Sequence, residues 1–300
     1  MINEMTNSHN IVRGAFFIVA SEFSFALSSA IIKFTSDSLP NESIVFFRNL
    51  FALAILIPLI IKSSRDTKTN ILKTDRLHLY LLRGIVGIGA MYGFFYALGH
   101  LPLGDSMLIK STIPLIIPFM SAIWLQEKIT PQIIMAGAVG FMGVFLILSP
   151  NGDTNWASLV ALASSVMSAM AFVTVRKLSS TEPPLRIVAY FAIAGVTISS
   201  VPMIWHWQTP TAIEYLMLAS VGLITTVAQL LLTRGYQNAP AASVGIFTYT
   251  SVPFGTFLGW LVWNELLDIN SLFGAVLIVL AGLIVLRTKA VQNPTEGELR

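Results

Sequence analysis

Lys110 and Glu22 each stand inside a long apolar run, 103–125 and 12–34 respectively. A charge near the centre of a bilayer costs about 2.5–3.5 kcal/mol on insertion scales, so such a group faces a cavity or a partner. Two readings of the pair are open. It is a structural ion pair, or it is a site where an anionic solute competes for Lys110 or a proton for Glu22. Arg48, near the start of the run 43–61, also has two readings. Its long side chain can snorkel to the headgroups. Alternatively it joins Lys33 and Lys110 in a basic outer vestibule, where its fork suits bidentate capture of carboxylate or phosphate.

Prolines mark the backbone around Lys110. Pro114 and Pro118 lie in the run 103–125, and Pro253 lies in 241–263. A proline inside a helix leaves the carbonyl four residues earlier without its donor. The carbonyls of Lys110, Pro114 and Tyr249 are therefore affected, and aligning Pro114 with Pro253 sets Lys110 opposite Tyr249. Interrupted helices line many transporter sites, although neighbouring groups can also relieve an ordinary kink. Aromatic residues Tyr92, Phe95, Tyr96, Phe247 and Tyr249 offer faces for a flat solute, and Gln229 offers an amide to a helix or a solute. The candidate solute-binding residues are Lys110, Glu22, Arg48, Tyr96, Tyr249, Gln229, Ser111 and Thr250.

The elements that position them follow from composition. Charged residues are 11% of the 300 and hydrophobic ones 55%, with a mean hydropathy of +0.75. A soluble domain carries about 25% charged residues to wet its exterior, so lipid is the expected solvent. The apolar runs are long and continuous, which means helices rather than the short alternating strands of a barrel. Windows long enough to cross are 12–34, 43–61, 79–99, 103–125, 131–149, 156–176, 187–206, 212–234, 241–263 and 270–287. Turn chemistry such as Leu39-Pro40-Asn41, Pro183-Pro184 and Asn238-Ala239-Pro240 separates them. The polar start, with no small-residue cleavage site after the first run, reads as a retained first span rather than a signal peptide.

Lys and Arg set the orientation. With the N-terminus inside, 15 of the 18 fall on the cytoplasmic side, and the others are Lys33, Arg48 and Lys110. Both termini are therefore expected inside. The same distribution accounts for the pI of about 9.2 without nucleic acid. Glu127 and Glu265 read as interfacial acids ahead of a helix N-terminus, where negative charge is favoured. Trp205, Trp207 and Tyr215 read as an interfacial belt. Gly89/Gly93 and Ser251/Gly255/Gly259 read as packing faces.

The chain repeats itself. A shift of 138 residues carries Pro102 to Pro240, Phe119 to Phe257 and Glu127 to Glu265. A shift of 144 carries Ser21 to Ser165, Ser24 to Ser168, Lys33 to Lys177 and Pro40 to Pro184. Five spans per half is an odd number, so the second half, 151–300, is expected upside down relative to the first, 1–150. Inverted repeats of this kind place solute near the midplane and alternate access by rocking.

Particular segments resemble a known family. They are Phe47-Arg48-Asn49, the run from Leu82-Arg83-Gly84 through Tyr96-Ala97-Leu98 to Leu101-Pro102-Leu103, and Gly104-Asp105-Ser106 with Thr112-Ile113-Pro114-Leu115 and Leu125-Gln126-Glu127. Ala241-Ala242, Tyr249, Pro253 and Glu265 repeat the pattern. Together they are similar to the EamA-type branch of the drug/metabolite transporter superfamily over about 12–290. The resemblance implies an all-α basket of ten transmembrane helices, in two inverted five-helix repeats around a central cavity. Lys110 and Glu22 fall outside its shared pattern.

The expected function is secondary transport of a small organic metabolite (amino acid, vitamin or nucleotide-like cofactor) across the cell membrane by alternating access. The alternatives are export of cationic drugs or amines by proton exchange, and lipid flipping. An enzyme is not expected: HExxH, GxSxG and GxGD are missing, and His9, His78, His100 and His206 are scattered. Without cysteine, thiol chemistry and Cys-based metal sites are excluded. No cofactor or metal is expected. The partners are a small-molecule solute, the bilayer and, as a candidate coupling ion, protons. A monomer in the inner membrane is expected.

Overall fold

The structure is a computed structural model that describes residues 2–67, 72–125, 131–148, 155–179, 181–238 and 245–292. The expectations placed on Glu127, Pro240, Ala241 and Ala242 lie outside these. Among the described residues every regular element is helical. The helices are α1 (Ile2–Thr35), α2 (Asn41–Thr67), α3 (Leu77–His100), α4 (Leu103–Lys110), α5 (Ile113–Leu125), α6 (Pro131–Leu148), α7 (Trp156–Ser179), α8 (Pro184–Met203), α9 (Ala212–Asn238), α10 (Ser251–Trp263) and α11 (Ile269–Gln292). A 3-10 turn, Gly245–Thr250, leads into α10. Among the described residues seven helical stretches are long and apolar enough to cross a membrane, α4 and α5 counting together, and Pro131–Leu146 and Ile269–Ile284 are shorter apolar helices. This is a multi-pass membrane protein.

Local chemistry sets several boundaries. Pro183 and Pro184 open α8, where a missing N–H costs nothing. Thr211 and Glu214 form a reciprocal capping box at the start of α9, and Asp268 accepts the Ser271 N–H at the start of α11. Asn264 ends α10 in the left-handed conformation, φ 57°. Helix α1 begins at Ile2, ahead of its apolar window, because helical backbone bonds do not require apolar side chains.

The chain divides into two compact units, and each draws on both halves of the sequence. The first comprises Met1–Leu27, Pro102–Asn155 and Val227–Arg300. Within it α6 packs on α11, and α4 on α10. The α6–α11 seam is reciprocal. A Cβ added to Gly140 would lie 3.3 Å from Ala281 Cβ, and one added to Gly143 would lie 3.1 Å from Ile278 Cγ1. At the 138-residue shift Gly140 corresponds to Ile278 and Gly143 to Ala281, so each half touches the other's counterpart, as across a two-fold axis.

The second unit comprises Ser28–Leu101 and Trp156–Thr226. Helix α3 packs on α7 and α8, and α2 on α8. The expected small-residue faces do the packing: Gly89 meets Met167, and Gly93 meets Ser164 and Val160. Ser164 Oγ donates to the Ala90 carbonyl at 2.6 Å. In the first unit Ser21 Oγ donates to the Ala228 carbonyl at 2.8 Å, and Ala228 is the counterpart of Ala90 at the 138-residue shift.

The two ends of α3 are fastened differently. Beside its start, Glu182 accepts from Arg186 and from Thr74 Oγ1 (2.8 Å), while Tyr190 donates to the Leu72 carbonyl (2.7 Å) and stacks on Tyr80. Desolvation acts to raise the Glu182 carboxyl, but the bonds from Arg186 and Thr74 outweigh it and hold the group below the usual carboxylate range. At the other end Lys33 Nζ donates to the Leu101 carbonyl at 2.6 Å. A cation is favoured at a helix C-terminus.

Candidate solute-binding site

In the first unit, Pro114 and Pro253 mark two helix interruptions. Helix α4 stops at Lys110, residues 111–112 turn, and α5 resumes at Ile113. In the second half the 3-10 turn gives way to α10 between Thr250 and Ser251. Aligning the prolines superposes the two interruptions. Hydroxyls serve the backbone alike at both. Thr112 Oγ1 donates to the Ile109 carbonyl (2.7 Å), and its counterpart Ser251 donates to Thr248 (3.0 Å). Ser111 donates to Met107 and Thr250 to Phe247. Short hydroxyl side chains suit such places because they bond locally where the regular ladder fails.

The two interruptions meet. Ser111 Oγ and Ser251 Oγ lie 3.5 Å apart. Next to them Lys110, at the negative end of the α4 dipole, reaches toward α1. Its Nζ is 4.9 Å from the centroid of Phe25, and its charge acts on Glu22, which is only 6% exposed. Glu22 and Phe25 are three residues apart and so share one face of α1. Tyr249 is also buried, and its hydroxyl has no hydrogen-bond partner among the described residues. The ring occupies the space left by Gly282, where a Cβ would collide with it.

Six of the eight expected site residues therefore fall in the first unit: Glu22, Lys110, Ser111, Gln229, Tyr249 and Thr250. Gln229 is half-buried on α9. Arg48 and Tyr96 belong to the second unit. Tyr96 gives one face to the His100 ring, 4.1 Å away. Arg48 does not snorkel: it is 6% exposed, and its Nη1 donates to Asn49 Oδ1 at 3.0 Å. Lys33, in the same unit, is bound to the carbonyl at the end of α3.

Glu265 has a role that its sequence position only half suggested. Its Oε2 accepts the Leu103 N–H at 2.9 Å, at the N-terminus of α4. The acid sits at a helix N-terminus as expected, but at a helix of the other half. Arg83 is the residue that sequence reasoning missed. It entered only through the Leu82-Arg83-Gly84 stretch of the resemblance and the count of cytoplasmic basic residues, yet it lies over the Phe191 ring, 4.0 Å from the centroid. Its signal was Gly87, one helical turn on, which leaves the space its guanidinium fills.

A multi-pass helical protein with paired helix interruptions around buried charges has the architecture of a membrane transporter. The EamA-like transporter family matches residues 12–149 and again 155–287. The chain belongs to that family, within the drug/metabolite transporter superfamily. It is 30% identical to the pseudopaline exporter CntI of Pseudomonas aeruginosa, over 92% of this chain and 96% of the relative. It is 26% identical to a riboflavin transporter of Vibrio cholerae (92% and 94%) and 25% identical to an S-adenosylmethionine uptake transporter of Rickettsia bellii (95% and 96%). A solved crystal structure shares the fold at TM-score 0.64 and 18% identity, covering 96% of this chain and 100% of that one.

Proposed function

We propose that the protein is a secondary transporter that moves a small organic metabolite across the cell membrane by alternating access. It has ten spans in two inverted five-helix repeats and both termini in the cytoplasm. The observation that carries this is the meeting of two helix interruptions at Ser111 and Ser251, beside Lys110, Glu22 and the unsatisfied Tyr249 hydroxyl. Interrupted helices expose backbone groups to a solute and bend with little cost, which is what a site that must open alternately requires. The reciprocal α6–α11 seam supports an inverted repeat, and the relatives named for pseudopaline, riboflavin and S-adenosylmethionine support a small organic solute. Lys110 would hold an anionic group of the solute, Tyr249 a polar group, and Gln229, Ser111 and Thr250 would line the same place.

One observation favours proton coupling. A carboxyl buried beside an ammonium can exchange its proton as the ammonium engages and releases a solute. Glu22 is then the coupling group.

Thermal unfolding of the detergent-purified protein tests the site. A ligand that binds only the folded form raises the melting temperature. The panel is amino acids, riboflavin, S-adenosylmethionine, nucleotides and cationic drugs. A stabilising compound whose effect disappears in Lys110→Ala is expected. A stabilising compound indifferent to Lys110→Ala and Tyr249→Phe would remove the site from these residues.

A further inference from the structure

In the second unit, Arg48 and Arg83 are two guanidiniums that meet no carboxylate among the described residues. Arg48 donates through Nη1 to Asn49 and lies 3.7 Å from Met91 Sδ. Arg83 lies over Phe191. The Nε of each is buried and meets no acceptor among the described residues. Met91, two turns on from Arg83 along α3, is where Arg48 meets that helix. A charge inside a span without a counter-ion is unfavourable, and it marks a functional position.

The backbone brings them together. Arg83, Gly87 and Met91 follow at four-residue spacing along one face of α3. A Cβ at Gly87 would collide with Arg83 Nη1 and Phe191, so the glycine opens a trough along which Arg83 runs toward Arg48. Opposite, α8 presents Phe191 and Gly195 one turn apart. A Cβ at Gly195 would come within 2.6 Å of Asn49 Oδ1, so that glycine makes room for Asn49. Asn49 in turn donates to the Val45 carbonyl at 2.8 Å, which fixes its Oδ1 against Arg48. Phe191 lies under the Arg83 guanidinium, 4.0 Å from ring centroid to Cζ, and offers its donors no acceptor. Planar guanidinium edges match carboxylate and phosphate oxygens with paired donors, which an ammonium does not do.

We propose that Arg48 and Arg83, positioned by Asn49 and Phe191 in the spaces left by Gly87 and Gly195, bind an oxyanion, carboxylate or phosphate. This goes beyond the transporter reading above, which assigns neither arginine.

The full chain in detergent is titrated with citrate and with inorganic phosphate in a buffer free of other oxyanions, and its thermal unfolding is followed. At least one of the two should stabilise the wild type. Stabilisation by citrate alone assigns carboxylate, and by phosphate alone assigns phosphate. Arg48→Met and Arg83→Met should each weaken that affinity about tenfold or more. Ligand-free Arg83→Met should melt above the wild type, because an unanswered charge has gone. Arg48→Lys and Arg83→Lys keep the charge without the fork, and should show the same weakening if a methionine variant fails to fold. Wild type indifferent to both anions, or variants with unchanged affinity, would overturn the proposal. If a panel solute still binds through Lys110 while the arginine variants keep their anion affinity, the transporter reading stands and the arginine site falls.

Discussion

Ser111 and Ser251 face each other with their hydroxyl oxygens 3.5 Å apart, one from each half of the chain and each at the point where its helix is interrupted. Each side chain also bonds back to its own backbone, to Met107 and Thr248.

A disulfide tests that contact in a chain that has no native cysteine. Ser111→Cys with Ser251→Cys should oxidise readily to an internal bridge, read by mass spectrometry after thiol labelling. The bridge should arrest solute movement, and reduction should restore it. Free thiols that resist oxidation would show that the two residues do not meet in the membrane.

Lys110 and Glu22 separate a binding role from a structural one. Lys110→Ala should reduce transport about tenfold or more while changing the melting temperature little, since a charge-assisted contact to the solute is what is lost. A purely structural pair broken from one side would instead cost about 3–5 kcal/mol of stability. Glu22→Gln should retain solute counterflow and lose dependence on a pH gradient. Gradient dependence that survives this variant would take the proton away from Glu22.

The Glu182 cluster gives a pH-dependent stability. Its folded carboxyl lies below the usual value, so the stabilisation is complete above that value and is lost as pH falls through the folded one. Glu182→Gln should therefore lower stability at neutral pH by about 1–3 kcal/mol. Wild type and variant should converge in acid, below the carboxylate range. A constant difference across pH would show that the carboxylate is not the stabilising form.

The α6–α11 seam predicts a steric effect. A Cβ on Gly143 would lie 2.7 Å from the Gly274 carbonyl oxygen, a backbone atom that cannot swing aside. Gly143→Ala should destabilise by about 1–3 kcal/mol. Gly259→Ala, whose Cβ would lie 3.3 Å from a Glu265 side-chain oxygen, should cost less. Equal losses in thermal unfolding would contradict close backbone packing at the seam.

How much of this was legible in the sequence depends on how local the cause is. The helix interruptions were legible because a proline acts on a carbonyl one turn away. That Lys110 and Glu22 belong to one compact unit was legible in kind, because two opposite charges in lipid have few other places to go. The small-residue faces were legible from four-residue spacing. The bond from Lys33 to the Leu101 carbonyl was not legible, because any helix end can supply such an acceptor. Arg83 was overlooked because near a span end it reads as a topology charge, and only the three-dimensional trough over Gly87 shows that it turns inward. Glu265 was half legible: its preference for a helix N-terminus is general, but which helix it caps depends on how α10 turns back at Asn264.

The most direct test of the transporter reading is solute counterflow in proteoliposomes. Purified protein is reconstituted with riboflavin, S-adenosylmethionine or an amino acid inside, and uptake of the same labelled compound is followed. The account predicts that at least one solute accumulates transiently against its gradient, and that Lys110→Ala abolishes this while the protein remains folded. Accumulation unaffected by Lys110→Ala, or its absence for every solute that stabilises the protein against heat, would contradict it.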